Sequence, residues 1–245
     1  MRYIDFSGLF HQSSKDRSGQ GSVKIPLDKT RWPAEWSVTS YKEYPRFEKI
    51  PLGDTNVASD LFEVIRKRSS KRDFSGKPFS MDQLSILLKY ACGIVSEVGG
   101  GHHRAQPSGG GRYPIEVYPV VFAGSEEIPA GLYHYGVKRH ELDVLWQRAF
   151  TKDDIAAFFT YPWAQDATLG LFLTAVFNRN QMKYGERGYR QILIEAGEIV
   201  QNLYLVSTAL GLKCCAIDGV REPDIEKLLD VDGITESVVT SLVLG

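Results

Sequence analysis

The chain has 245 residues, with 29 Lys plus Arg against 30 Asp plus Glu and a formal net charge of −1. That balance supplies no global basic field for nucleic acid or anionic lipid, so any basic site has to be local. No apolar run approaches the roughly 18 residues of a membrane span, and Met1-Arg2-Tyr3-Ile4-Asp5-Phe6 lacks the apolar core of a signal peptide, so no membrane association and a cytoplasmic setting are expected.

Residues 1 to about 56 mix Ser, Lys, Arg, Pro and aromatics without a sustained period, as in Lys24-Ile25-Pro26 and Trp32-Pro33, which predicts an extended arm. Its aromatics, Trp32, Trp36, Tyr41, Tyr44 and Phe47, gain by packing on a larger body or a partner subunit. Regular structure is expected from Ser59, with Leu61, Phe62, Val64 and Ile65 marking a helix that runs into Arg66-Lys67-Arg68. Ser80 and Gln83 have capping-box spacing before an apolar stripe from Leu84 to Ala91, and Gly93 follows as a stop.

Strands are expected at Glu116 to Phe122, Gly131 to Tyr135 and Glu141 to Leu145, the last two as a hairpin. Thr151 caps another helix, and Thr168 to Phe177 reads as a central strand covered on both faces. Tyr189 to Leu210 predicts a long helix ended by Gly211, apolar enough to be buried or to lie in a dimer core. Pro223 sits in the first turn of a last helix, and Ser237 to Leu244 ends the chain as a strand. Strands and helices mix without βαβ alternation, which is an α+β pattern in one large domain with an extension.

Cys92, Cys214 and Cys215 form no zinc spacing, and the adjacent pair is poorly placed to bridge, which fits a reducing compartment and no metal. His102-His103 reads as loop polarity.

Three runs carry chemistry. Pro107-Ser108-Gly109-Gly110-Gly111 lies just before a strand, and a loop nearly free of side chains lets backbone N–H groups approach a flat or anionic ligand. Arg66 to Arg72 holds five cations in seven positions; Arg68 and Arg72 flank Ser70 and offer fork-shaped donors for a phosphate, although such a cluster also suits a solvated basic face. Asn178 to Arg190 lies between the central strand and the long helix. Its Lys183 and Tyr184 could supply a base and a hydrogen-bond donor if burial shifts a pKa, or belong to an exposed polar linker.

Arg68-x-Ser70-x-Arg72, Pro107-Ser108-Gly109-Gly110 and Glu195-Ala196-Gly197-x-x-x-Gln201-Asn202-Leu203, in that order, resemble the FMN-dependent nitroreductase superfamily over residues 58 to 245. Pro107 to Tyr118, Gly131 to Tyr135 and Lys183 to Arg190 are most similar to its SagB-type dehydrogenases. The resemblance implies a three-layer α/β/α sandwich with a mainly antiparallel central sheet over residues 57 to 245, forming a homodimer with FMN at the subunit interface. It implies that Arg68, Ser70 and Arg72 hold the phosphate and ribityl chain, and that Pro107, Ser108, Gly109 and Gly110 approach the isoalloxazine from the other subunit. Ile217, Asp218 and Gly219 would lie against flavin N5, with Gly219 as donor.

SagB-type enzymes oxidise thiazolines and oxazolines of modified peptides to azoles, and Lys183 and Tyr184 match the Lys-Tyr pair of that chemistry. A cyclodehydratase complex is then an expected partner. An NAD(P)H-dependent nitro, quinone or ene reductase, and a flavin-stabilised scaffold of a peptide-modifying complex, are the alternatives on the same fold.

Overall fold

The computed structural model describes residues 9–10, 12, 15, 25–26, 28–74, 76–98 and 101–245. Most of the arm before Ile25, including Lys24 and the Met1 to Phe6 start, lies outside the described residues.

Runs of β-branched and aromatic residues build one seven-stranded sheet. Its strands are β1 (Glu48–Pro51), β4 (Ile115–Val121), β5 (Gly131–Gly136), β6 (Glu141–Gln147), β7 (Leu169–Val176), β8 (Cys214–Ile217) and β9 (Glu236–Leu244). The order is β1-β6-β5-β4-β7-β9-β8, and every neighbouring pair is antiparallel. A separate hairpin pairs β2 (Ile94–Val98) with β3 (Gly101–Arg104), the strand that carries both His102 and His103. β4 is buried along its whole length and β7 along nearly all of it, as expected of central strands covered on both faces.

One face packs on α2 (Met81–Cys92) and α5 (Arg187–Ala209), where Leu84, Leu88, Ile192, Ile199 and Leu203 meet Val117, Leu171 and Leu173. The other face packs on α3 (Lys152–Phe158) and α6 (Glu222–Leu229), through Phe122, Phe158, Phe172, Ile225 and Leu229. The result is the α/β/α sandwich with an antiparallel sheet that the sequence predicts. Local chemistry sets its helix starts: Ser80 and Gln83 exchange hydrogen bonds of 3.1 Å at the head of α2, and Thr151 and Asp154 repeat the device at α3.

Two segments differ from expectation. Asn178 to Arg190 is no linker: α4 (Asn178–Tyr184) occupies its first half, closes on Gly185 at φ 55°, and α5 begins at Arg187. α1 (Leu61–Lys67) forms where predicted, but only Val64 is buried; Leu61, Phe62 and Ile65 are exposed, Phe62 by 80%. The latter part of the arm joins the sheet as edge strand β1, paired with β6. All three cysteines are free and buried.

A buried ionic network fastens arm, sheet and α4 together. His134 on β5 is 0% exposed, with Nδ1 2.8 Å from Asp143 Oδ2 and Nε2 3.0 Å from Glu116 Oε2. Lys49 pairs with Asp143 from the arm side, and Arg179 on α4 pairs with Glu116 at 2.5 Å. Burial pushes the Glu116 carboxyl up, but the His134 hydrogen bond and the Arg179 charge outweigh it and hold the group down at about 2. Burial likewise opposes the His134 cation, and its two carboxylate partners raise the imidazole pKa regardless.

Glu116→Gln keeps the shape of the side chain and strips the charge that Arg179 and His134 face. It is expected to lower the urea unfolding free energy at neutral pH by about 3 kcal/mol. The Glu116 contribution is present above the ordinary carboxyl value of 4.5 and fades as pH falls through about 2, so the deficit of the variant should shrink in strong acid. A loss below about 0.5 kcal/mol at neutral pH would mean that the network adds nothing beyond a surface ion pair.

Candidate functional site

The glycine loop forms a short 3-10 turn at Gly109–Gly111, with Gly110 and Gly111 both at φ 65°. Side chains are excluded for two reasons, conformation and space. A Cβ on Gly110 would run into the Tyr184 hydroxyl and lie 3.2 Å from Lys183 Nζ, and one on Gly109 would lie 2.7 Å from Gln191 Oε1. Ser108 fixes the loop by donating to Glu195 Oε2 at 2.6 Å and accepting from the Tyr113 N–H at 2.8 Å. Gln106 donates to the other Glu195 oxygen at 3.4 Å, while Pro107 is exposed.

Lys183 and Tyr184 form the wall opposite that loop. Lys183 is 1% exposed, and its Nζ has no hydrogen-bond partner among the described residues; it lies 3.5 Å from the centroid of the Trp32 ring. Burial lowers the Lys183 pKa, and the like charges of Arg112 and Lys29 lower it further. Burial raises that of Tyr184, so the phenol stays protonated. Arg112 is itself held by the Arg179 and Val38 carbonyls, each at 2.7 Å.

Five buried side-chain polar atoms lack partners among the described residues, and four of them belong to this region: Arg104 Nε, Gln106 Oε1, Asn180 Oδ1 and Lys183 Nζ. Buried groups of this kind are normally satisfied, so these atoms, on residues near a loop without side chains, are free to engage a polar group. Glu195, 2% exposed beneath the loop, has the opposite tendency to Glu116: burial drives its carboxyl up to about 7 despite the Ser108 and Gln106 hydrogen bonds.

Arg68, Ser70 and Arg72 lie elsewhere in the chain. Ser70 Oγ is 2.9 Å from the Tyr204 hydroxyl, the Arg68 guanidinium stands 5.2 Å over the Tyr204 ring, and that of Arg72 stands 5.6 Å over Trp163. Neither arginine has a carboxylate partner among the described residues, which leaves both forks free for an anion. Tyr204 also accepts from the Ala216 N–H at 2.7 Å, so it joins Ser70 to the strand leading to Ile217, Asp218 and Gly219. In that segment the Ile217 side chain lies in the core, Asp218 accepts from Thr240 at 3.1 Å, and the Gly219 carbonyl accepts from Thr160 N–H and hydroxyl at 2.9 Å.

Two groups thus form within one chain: the glycine loop with Lys183 and Tyr184, and the arginines with the end of β8. They do not touch each other. Both rest on α5, at Glu195 and at Tyr204, nine residues and a rise of about 14 Å apart. Sequence reasoning gives Tyr204 no role, includes Glu195 only within the family motif, and expects Trp32 only to pack on a larger body. Glu195 was open to detection, because a carboxylate on the apolar stripe of Ile192, Ile199 and Leu203 has to be buried; Tyr204 and Trp32 carried no such signal.

The family model described as the nitroreductase family matches residues 65–245. The chain is 29% identical over 191 residues to the nitroreductase-named protein MJ1384 of Methanocaldococcus jannaschii, covering 77% of this chain and 89% of that one. It is 33% identical over 174 residues to the trifolitoxin-processing protein TfxB of Rhizobium leguminosarum, covering 67% of this chain and 47% of TfxB. It is 30% identical over 141 residues to the microcin B17-processing protein McbC of Escherichia coli, covering 54% of this chain and 50% of McbC. A crystal structure from Anabaena variabilis, described as a nitroreductase, superposes with a TM-score of 0.73 at 25% identity, over 99% of this chain and 46% of that one. The chain therefore spans about half the length of TfxB, McbC and the Anabaena protein.

Two measurements check this geometry. Gly110→Ala and Gly111→Ala share the left-handed backbone penalty of about 1–2 kcal/mol, but only Gly110 faces Tyr184, since nothing lies within 4 Å of a Cβ on Gly111. Gly110→Ala is expected to cost about 1 kcal/mol more in urea unfolding; equal losses would show that Tyr184 does not press on the loop.

A carboxyl raised in the folded state makes stability fall as pH rises from its ordinary 4.5 to about 7. Glu195→Gln should remove up to about 3 kcal/mol of that fall, and an unchanged slope between pH 5 and 8 would contradict the assignment.

Proposed function

The chain belongs to the nitroreductase family, and from that membership we propose that it is an FMN-dependent oxidoreductase of the SagB type, oxidising thiazoline or oxazoline rings of a peptide to azoles. The observation that carries this reading is Lys183: a buried amine with no hydrogen-bond partner among the described residues, beside Tyr184 and a glycine loop. Likeness to TfxB and McbC, both named for peptide processing, supports the substrate class.

The residues present fit such a cofactor. In this proposal Arg68, Ser70 and Arg72 take the phosphate and ribityl end, Pro107, Ser108, Gly109 and Gly110 approach the flat ring system, and Ile217, Asp218 and Gly219 supply backbone near N5. FMN, when bound, accepts a hydride from a ring carbon of the substrate. The neighbouring proton then has to leave, and the two side chains divide that task by their environments. The lowered pKa of Lys183 eases loss of its proton, and once deprotonated its Nζ could receive the substrate proton; Tyr184, its pKa raised, keeps its own and can donate a hydrogen bond to the ring heteroatom. Loss of one hydride and one proton leaves the aromatic azole.

A second copy of the chain is the proposed partner across α1 and α5. Leu61, Phe62 and Ile65 on α1 and Leu193 and Ile194 on α5 are all exposed in the single chain, an apolar set that association would cover. A homodimer would also bring the glycine loop of one subunit toward the arginine cluster of the other. Residues 1–56 are then an arm appended to a 57–245 cofactor domain. A cyclodehydratase, which makes azolines, is the proposed companion enzyme, and the cytoplasm the proposed compartment. No helix among the described residues is long and apolar enough to cross a membrane.

Purified protein is expected to take up FMN and to remove two hydrogens from an azoline peptide, as read by mass spectrometry. Lys183→Met should slow that turnover by about 10²–10⁴-fold while leaving FMN uptake intact. Rapid flavin reduction by NADPH with no loss of hydrogens from the azoline would instead identify a reductase.

A further inference from the structure

The amine of Lys183 is closed off by the arm. Trp32 lies against Nζ, Trp36 stands 6.0 Å from it, and together with the α4 wall they leave Lys183 1% exposed. A base in that state meets no substrate, because a proton donor has to come within hydrogen-bond reach of Nζ and the indole occupies that approach.

The covering segment is lightly held. Within residues 28–36, the Thr30 N–H and hydroxyl donate to Asp28, the Arg31 N–H to the Asp28 carbonyl, the Trp32 N–H to Lys29, the Trp36 N–H to Pro33 and the Trp32 indole to Pro26. Each of these bonds stays inside the arm. Attachment to the body by hydrogen bonds begins beyond it, where the Val38 carbonyl accepts from Arg112 at 2.7 Å and Thr39 Oγ1 donates to the Gly111 carbonyl at 3.2 Å. Every residue from Asp28 to Val38 is exposed apart from Trp32 and Trp36, which are half-buried. A surface flap held down by two aromatic rings, with no hydrogen bond of its own to the body among the described residues, is an element that opens at low cost.

We propose that residues 28–38 are a lid hinged at Val38 and Thr39, and that Trp32 fills the subsite where a planar heterocycle of the substrate stacks beside Lys183. The indole matches such a ring in flatness and in the π-face it offers to a cation. Substrate then enters by displacing Trp32, and its apparent affinity is the intrinsic one multiplied by the fraction of molecules with the lid open. The identity of the ring rests on the oxidoreductase reading above; the existence of the lid does not.

The test uses the full chain and an amine-reactive acylating reagent, with the rate of Lys183 modification measured by peptide mass spectrometry against the exposed Lys227 as internal standard. Trp32→Ala is expected to speed Lys183 modification about tenfold or more, with Lys227 unchanged. It should also lower KM for an azoline peptide by a similar factor at unaltered kcat. An unaltered Lys183 rate overturns the lid, and a raised rate with a raised KM overturns the displacement, making Trp32 a wall that binds substrate. Should Trp32→Ala fail to fold, Trp32→Phe, which keeps a smaller ring, is read in the same way and should give an intermediate rate. Absence of turnover in the unaltered chain would count against the oxidoreductase reading alone, since the labelling result stands without it.

Discussion

The ion pair between Arg179 and Glu116 is the attachment on which the site depends. Arg179 and Lys183 are four residues apart on α4 and so share one face of a two-turn helix. A helix that short has little stability of its own. Its position comes from the sheet, through a carboxylate already gripped by His134 and, beyond it, by Asp143 and Lys49. Apart from Glu116, five positions after Gly111, the members of the charge network are far from the glycine loop in sequence, yet they position α4 and with it the amine of Lys183. Arg179 also donates to the Tyr113 carbonyl at 3.2 Å, so the same guanidinium secures the end of the loop.

Two buried glutamates show how environment assigns opposite roles to one side chain. Glu116 faces a guanidinium and an imidazole and is held ionised; Glu195 faces a hydroxyl and an amide and is driven toward its neutral form near pH 7. Neutral partners stabilise a carboxylate by single hydrogen bonds, which do not offset the loss of water, whereas two cationic partners do. The first glutamate belongs to the frame and the second to the floor of the loop. Lys183 follows the logic of Glu195: its neighbours Arg112 and Lys29 carry its own sign, so nothing compensates its burial.

Much of this architecture is legible in the sequence where a local rule has no competitor. The capping boxes at Ser80 and Thr151, the mostly apolar runs of β4 and β7 and the proline in the first turn of α6 declare their elements directly. The glycine loop is equally plain, since no other composition allows so close an approach. What escapes a linear reading is set by distant partners. Asn178 to Tyr184 is polar enough to look like a linker and becomes helical because Arg179 finds Glu116, more than sixty positions earlier. The arm lacks periodicity because its residues answer to the sheet edge at β6, to Lys183 and to short turns of their own, not to one helix or strand face. The hydrophobic face of α1, conversely, is visible in the sequence, yet beyond Val64 it finds no cover among the described residues.

α5 runs unbroken from Arg187 to Ala209 and carries both residue groups. Glu195 fixes its level at the loop and Tyr204 its level at the arginines, with no flexible joint between them. Inserting or deleting one residue between those positions would rotate one end against the other by about 100° and shift it by about 1.5 Å, so that both contacts could not survive together. The interval is a ruler cut to one length. Length changes are therefore tolerated more readily in the loops and the arm than within this stretch of α5.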